Sequence, residues 1–198
     1  MKWSEIQLES LKKMFLNKDV LKSEDLSTYK TDKKYKTYLD AMPQACNEAV
    51  NYIIEKEPII RKHKLNRIGE NEIYDLATVL SDYRKLYNIE SDILLNWKLL
   101  SKNILKICDW VDPSVKVDVL YSAYPKKITS ETTDDFKIEL EESFARIIPL
   151  YIAGELYKDD DLTLSTIYMN EFFTNLNNLA TNDNFINNQI QNVFRMEI

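Results

Sequence analysis

Four acidic residues in the last third of the chain are the clearest candidates for metal-dependent chemistry. They are Glu155, Asp159, Asp160 and Asp161. Carboxylate oxygens are the ligands that Mg²⁺ and Ca²⁺ prefer, so such a cluster could serve a hydrolase or nuclease. The case is weak, because adjacent Asp side chains point apart and neither a His nor a second acidic motif accompanies them. A structural role is the alternative, since a carboxylate at a turn can cap the free N–H groups of the following helix.

The other residue types that often carry catalysis are few. Cys46 and Cys108 are far apart in apolar surroundings and the single His63 lies in a basic run, so no metal-ligand spacing forms. We expect both cysteines to be buried thiols. The two glycines, Gly69 and Gly154, belong to no phosphate-binding loop motif. A nucleotide site of a known loop type is therefore not expected.

Composition and charge limit the class of protein. A chain of 198 residues with 44% hydrophobic residues is long enough for one domain with a core. A net charge of −6 argues against nucleic-acid binding driven by phosphate neutralisation. The sequence has neither a signal peptide nor an apolar run of about 20 residues, so we expect a cytoplasmic protein that spans no membrane.

Charges of opposite sign are separated along the chain. They form either solvated faces or patches that meet between copies of the protein. The basic groups are Lys30, Lys33, Lys34 and Lys36, followed by Arg61, Lys62, Lys64 and Arg67, and the acidic ones are residues 131–142 and the Asp triplet.

A helical hairpin is the strongest structural prediction. Apolar residues recur at helical spacing before and after the polar turn Lys158, Asp159, Asp160 and Asp161, so two helices should pack across that turn. Pro149 falls inside the first of these helices and should kink it. The apolar positions are Phe144, Ile147, Ile148, Tyr151, Ile152 and Leu156 before the turn, and Leu164, Ile167, Tyr168, Phe172, Leu176 and Leu179 after it.

The first half of the chain predicts helices followed by a small β-structure. Ser4 should cap a first helix, and a segment over 33–39 precedes a core helix that Asp40 caps, with Pro43 in its first turn. Residues 59–67 are charged and aperiodic, as in a linker or an exposed helix end. We predict an α+β fold, a helical core interrupted over about 69–128 by antiparallel strands. The strand candidates are 73–76, 86–89, 93–100, 104–107 and 115–121, the last half-buried, with a helix over 77–87 as an alternative.

The last residues differ in composition from the rest. Five Asn over 182–198 make this stretch a poor helix, yet its apolar residues are too many for a disordered tail. We predict one domain over 1–181 with extended arms at both ends of the chain. The C-terminal arm, 182–198, either becomes ordered on a partner or packs back on its own domain.

Three blocks of this sequence resemble the head-tail adaptor, or connector, proteins of tailed bacteriophages and prophages. They keep their order and span most of the chain between residues 35 and 179. The third block, followed by Tyr168, Asn170, Glu171 and Phe172, is the most specific. The blocks are 38–49 (YLDAMPQACNEA), 119–125 (VLYSAYP) with Ile128 and Thr129, and 148–161 (IPLYIAGELYKDDD).

The resemblance implies a structural virion protein that is not an enzyme and uses no cofactor. It would form a ring of about twelve copies beneath the portal in the neck of the virion. The ring would join the DNA-filled head to the tail and continue the DNA channel, with a tail-proximal neck or terminator protein below it. By the same resemblance, apolar residues of the arm would contact the portal: Phe185, Ile186, Ile190, Val193, Phe194 and Met196. The alternatives are another neck or tail-completion protein, the metal-dependent hydrolase, and a regulatory module of the host.

Overall fold

The computed structural model describes residues 1–15, 26–66, 72–108, 112 and 114–194, with side chains up to 181. These residues form an α+β protein, as predicted. The chain divides into two compact units. The helical unit comprises residues 1–57 and 126–198, and the β unit comprises residues 58–125.

The helices and strands are divided between the two units. The helical unit contains α1 (Trp3–Phe15), α2 (Leu26–Thr31), α3 (Lys33–Lys56), α5 (Glu142–Ala145), α6 (Ile148–Leu156) and α7 (Leu162–Phe194). The β unit contains β1 (Ile59–Lys64), β2 (Ile73–Asp75), α4 (Leu76–Val79), β3 (Tyr83–Ser91), β4 (Trp97–Leu99), β5 (Ile104–Ile107) and β6 (Val117–Ala123).

The helices α6 and α7 form the predicted hairpin. Gly154 explains how closely they approach, because a Cβ added there would lie 3.2 Å from both the Met169 nitrogen and the Ser165 oxygen of α7. Phe172 and Leu176 are buried as expected, whereas Leu164 and Ile167 are exposed on the outer side of α7. The apolar spacing therefore identified the helix but overestimated how many of its residues are buried.

Pro149 does not kink a helix, contrary to the prediction. It lies in the first turn of α6, where the missing N–H would have had no partner inside the helix. The preceding helix α5 ends at Ala145, and the Leu150 nitrogen donates to the Ile147 oxygen to begin the new helix. The proline therefore starts a helix.

The helix α3 runs without a break through Pro43, so the predicted boundary at Asp40 is wrong. Asp32 caps it, with one carboxylate oxygen accepting from the Lys34 nitrogen at 2.9 Å. A proline inside a helix removes one hydrogen bond and costs about 3 kcal/mol. Burial along one face offsets that cost, and the buried residues include Leu39, Met42, Cys46, Ala49, Val50, Ile53 and Ile54.

The first helix begins one residue before the predicted cap Ser4. The Lys2 nitrogen donates to Glu5 Oε2 at 2.7 Å, so the glutamate serves the cap instead of the serine. At the other end of α1, the hydroxyl groups of two tyrosines donate to backbone oxygens: Tyr157 to Met14, and Tyr168 to Lys13 at 2.8 Å. These bonds join α1 to the helical hairpin.

Two three-stranded antiparallel sheets form the β unit, with strand orders β1-β6-β3 and β2-β5-β4. Each of the five predicted runs overlaps one observed strand, and the run 93–100 contains the whole of β4. The strand β1 was predicted to be a linker; it lies at a sheet edge, where charged residues are common. The central strand β6 is buried on both faces rather than half-buried, since Val119 is 0% exposed and its neighbour Asp118 4%. Of the alternative helix over 77–87, the first residues are helical in α4, which ends at Val79, and the rest is wrong because β3 begins at Tyr83.

The helix α7 continues to Phe194, so residues 182–194 are helical although their Asn content predicted a poor helix. Each Asn costs less than about 0.7 kcal/mol relative to Ala, and extending an existing helix avoids the unfavourable nucleation step. Among the described helices, none is long and apolar enough to cross a membrane.

Candidate functional site: the acidic turn and the exposed surfaces

The three aspartates of the acidic turn between α6 and α7 differ in their hydrogen bonds. Asp161 caps α7, because its Oδ1 accepts from the nitrogens of Thr163 and Leu164, each at 3.0 Å. Asp160 Oδ2 accepts from the Tyr38 hydroxyl at 2.9 Å. Asp159 is exposed and has no hydrogen bond or ion pair with the described part of the chain. The predicted helix cap is confirmed at Asp161.

The three carboxylates do not converge on one point. Glu155, the fourth candidate ligand, forms an ion pair with Lys158 instead. Within the residues that the structure describes, no group of three or more His, Cys, Asp or Glu is arranged to hold a metal ion. Hydrogen bonds to protein groups account for Asp160 and Asp161 without a metal.

Residues from the three blocks contact one another within the helical unit. Tyr38 of the first block meets Asp160 of the third, and the Tyr151 hydroxyl of the third donates to Glu48 Oε2 of the first at 3.3 Å. The amide of Asn47 bonds the backbone of Ile128 twice, donating to its oxygen at 2.7 Å and accepting from its nitrogen at 2.9 Å. The first block is thus the common partner of the other two.

Two tyrosines at these contacts have raised pKa values. Burial is the main cause at Tyr38, and its hydrogen bond to Asp160 raises the pKa of the hydroxyl further. Burial also raises the pKa of Tyr151, and the charges of Glu155 and Glu48 act in the same direction. Both hydroxyl groups therefore remain protonated donors at neutral pH and are not poised as bases or nucleophiles.

A charged cluster lies beside a cleft of about 520 Å³ in the β unit. Asp118 on the central strand accepts from Lys62 at 3.0 Å and from Lys116 at 3.1 Å, and Lys62 also reaches Glu90 at 2.7 Å. Burial opposes ionisation of Asp118, but the two lysines outweigh it and lower the pKa of the carboxyl. The positive and negative charges of the cluster neutralise one another, so we interpret the cluster as structural.

Apolar side chains are exposed next to this cluster. Leu94, in the loop between β3 and β4, is 100% exposed, and Ile93 beside it is 46% exposed. In the helical unit, Leu162 and Ile167 at the start of α7 are 70% and 53% exposed. Exposed leucine and isoleucine side chains such as these are available for contacts with other proteins.

Much of the separated charge is paired inside the chain. Lys30 binds Asp134 at 2.6 Å, Lys2 binds Asp135 at 2.7 Å, and Arg61 binds Asp82. Lys30, Arg61, Asp134 and Asp135 belong to the groups that the sequence assigned to solvated faces or to contacts between copies, whereas Lys2 and Asp82 do not. Lys33, Lys36 and Lys64 form no ion pair within the described ranges. Arg67 lies outside the described residues.

The prediction that both cysteines are buried is confirmed for one of them. Cys46 is buried, which raises the pKa of its thiol, but Cys108 is exposed and the prediction for it is wrong. It lies one residue beyond the end of β5, where the apolar run stops.

Of the predicted portal contacts, Phe185, Ile186, Ile190, Val193 and Phe194 lie on the helical backbone of α7, and their side chains are outside the described part. Met196 lies outside the described residues altogether.

Sequence reasoning missed the polar contacts between the blocks and a buried amide, Gln7. Trp3, Gln7, Ser10 and Met14 fall on one buried face of α1, so helical periodicity could have found two polar residues on an apolar face. Ser10 donates to the Ile6 oxygen at 2.7 Å, whereas Gln7 Oε1 has no hydrogen-bond partner among the residues that the structure describes.

Comparisons with known proteins add no family. No protein-family model matches the sequence, and no curated protein matches it either.

Proposed function

We propose that this protein is a structural virion protein that forms a ring beneath the portal of a tailed phage and joins the head to the tail. The ring would contain about twelve copies, and DNA would pass through it without sequence-specific contacts. The portal on one side and a tail-proximal neck or terminator protein on the other are the expected partners.

The observation that carries this proposal is that the first block contacts both the third block and Ile128, which accompanies the second. The residues that resemble head-tail adaptors bond one another, at Tyr38 with Asp160, Glu48 with Tyr151, and Asn47 with Ile128. A motif shared because of catalysis would bring free nucleophiles, bases or ligands to one site. Here the shared residues hold helices together, which is the role expected in a scaffold protein.

The exposed surfaces are compatible with contacts between copies. In a ring, one face of each copy meets a different face of the next, so each copy needs two unlike contact surfaces. The helical unit offers Leu162 and Ile167, and the β unit offers Ile93 and Leu94. Burying exposed leucine or isoleucine side chains between subunits stabilises association by about 25 cal/mol per Å² of apolar surface.

Native mass spectrometry of the protein, alone and mixed with a portal protein from the same genome, tests the proposal. We expect a ring, either by itself or on the portal. A protein that stays monomeric in both samples, at concentrations that saturate other neck proteins, contradicts the proposal.

A pair of matched variants identifies the contribution of α7. Ile167→Asp places a charge on an exposed apolar position, and Asn170→Asp places the same charge one turn away on an exposed polar position. We expect the first variant to lose the ring while its helical circular dichroism is unchanged, and the second to behave as the wild type. Deleting residues 182–198 tests the arm in the same assay, with loss of portal binding as the expected result.

A further inference from the structure

A cleft of about 290 Å³ lies on the helical unit, where α3 packs against α6. The residues that line it from α3 follow the spacing i, i+3, i+4, i+7, so they occupy one face of that helix. The lining consists of Glu48, Asn51, Tyr52 and Glu55 of α3 and Tyr151 of α6. The acidic turn and the exposed leucine and isoleucine side chains described above do not contribute to it.

Two tyrosine rings form the apolar wall of the cleft. The rings of Tyr52 and Tyr151 have centroids 5.6 Å apart and are tilted by 45° to each other. Phe173 of α7 packs edge-on against Tyr52, with centroids 5.3 Å apart. Tyr151 is buried, whereas Tyr52 is 43% exposed. Packing on two sides therefore fixes the ring of Tyr52 while part of its surface stays open to a ligand.

Two carboxylates at the cleft are not neutralised within the part of the chain that the structure describes. Glu48 is held by neutral donors, since its Oε1 accepts from the Gln44 amide at 3.2 Å and its Oε2 from the Tyr151 hydroxyl at 3.3 Å. Glu55 is exposed and has neither a hydrogen bond nor an ion pair with the described residues. An ionised carboxylate has about four acceptor positions, so Glu48 can still bind a cation.

The spacing of these two carboxylates determines which cation fits. Glu48 and Glu55 are two turns apart on one face of α3, which separates their positions by about 10 Å. Tyr52 lies between them on the same face. A ligand with a single positive charge can therefore neutralise only one end of the cleft. A ligand that uses both ends has two cationic groups joined by a slim apolar chain.

We propose that this cleft binds a free linear diamine, with one ammonium group at Glu48, the other at Glu55, and the alkyl chain along Tyr52 and Tyr151. An ammonium group has three donors and no acceptor, which suits a carboxylate, and a tyrosine ring attracts a nearby cation. A lysine or arginine side chain of another protein has one charge, so it would leave one carboxylate unpaired. The proposal is independent of the ring, because each copy of the chain contains a complete cleft.

Isothermal titration calorimetry measures this binding at neutral pH and low salt. The probe is diaminoheptane, with an amine at each end of its chain, and its dissociation constant should be on the order of 1 mM. Heptylamine has the same chain with one charge and should bind about fivefold more weakly, which is the upper range for one exposed ion pair. Diaminopropane is too short to reach both carboxylates and should bind no more tightly than heptylamine. Equal binding of all three amines, or no binding of diaminoheptane, would overturn the proposal.

Glu55→Gln is the decisive variant, and Asp40→Asn is its matched control. Glu55 is exposed and has no bond to the described residues, so its variant should fold and should bind diaminoheptane no more tightly than heptylamine. Asp40 is exposed on the same helix and does not line the cleft, so its variant loses the same charge and should keep the fivefold preference. If Glu55→Gln also keeps that preference, Glu55 does not bind the second ammonium group, and the proposal is wrong.

A blocked lysine, N-acetyl-lysine N′-methylamide, tests whether a protein side chain could be the ligand instead. It has one ammonium group on an alkyl chain, so it should bind no more tightly than heptylamine. Should it bind as tightly as diaminoheptane, the cleft would be a site for a basic side chain of a partner protein, and the assignment to a free diamine would be wrong.

Discussion

Replacing the aspartates of the acidic turn one at a time by alanine separates helix capping from a general effect of charge. Asp159, Asp160 and Asp161 are adjacent, so each substitution removes one carboxylate and changes the net charge equally. Their hydrogen bonds differ, since Asp161 accepts two backbone N–H groups, Asp160 accepts one tyrosine hydroxyl, and Asp159 accepts none from the described residues. The structure therefore predicts three different losses of stability.

The expected losses in the free energy of unfolding follow from these bonds. Asp161→Ala removes the cap of α7 and should cost about 0.5–2 kcal/mol. Asp160→Ala removes one exposed hydrogen bond and should cost at most about 1 kcal/mol. Asp159→Ala should change the stability by less than about 0.5 kcal/mol, as surface substitutions usually do.

Urea unfolding followed by far-ultraviolet circular dichroism measures these losses. The signal reports mainly on the helical unit, because α4, with its 4 residues, is the helix that the structure places in the β unit. In thermal unfolding of a chain of this size, a loss of about 1 kcal/mol in the free energy of unfolding lowers the melting temperature by about 2–4 °C. Tyr38→Phe should match Asp160→Ala, and the double variant should lose no more than either alone.

Two results would refute this reasoning. Equal losses in all three variants would mean that charge, and not the cap, determines the effect. Alternatively, Mg²⁺ or Ca²⁺ could raise the melting temperature of the wild type but not that of Asp161→Ala. That outcome would assign the carboxylates to a metal site.

Three further predictions concern other parts of the chain. Gly154→Leu should destabilise the hairpin by about 1–3 kcal/mol, because its side chain would meet the α7 backbone at Met169, and the same unfolding assay measures the loss. The pKa of Asp118 is lower in the folded than in the unfolded state, so its ionised form stabilises the β unit above about pH 4, and that stability is lost as the pH falls further. Asp118→Asn should therefore be less stable than the wild type at pH 7, and this difference should shrink as the pH falls below about 4; a difference that does not change with pH would contradict this. A thiol reagent should modify Cys108 in the native protein and Cys46 only after unfolding, with rapid modification of both thiols as the contrary result.

Local patterns predicted the elements whose signals agree with one another. The hairpin has helical spacing on both sides of a polar turn, and Asp161 is a favourable cap residue at its expected position. The strands β5 and β6 combine β-branched residues with turn signals before and after them. In each case, local preference and burial favour the same structure.

Predictions failed where contacts distant in sequence outweigh the local signal. Pro43 should begin a helix by local rules, but the buried face of α3 extends the helix two and a half turns before it. The strand β1 appeared too charged for a sheet, yet Lys62 finds its partners Glu90 and Asp118 on other strands. Neither ion pair of Lys62 can be derived from the spacing of residues along the chain, because each depends on which strands become neighbours.

The pairing of Ile59 with Ala123 has a consequence for how such a protein could arise and be altered. Partners in an antiparallel pair have Cα atoms about 4.5–5.5 Å apart, so the chain enters and leaves the β unit at neighbouring points. A segment with adjacent ends can be exchanged as a cassette, since a short turn can close the gap that its removal leaves. Homologues of this chain could therefore differ greatly in length between α3 and residue 126 while keeping one helical scaffold, and an unrelated small domain could be grafted in the same place.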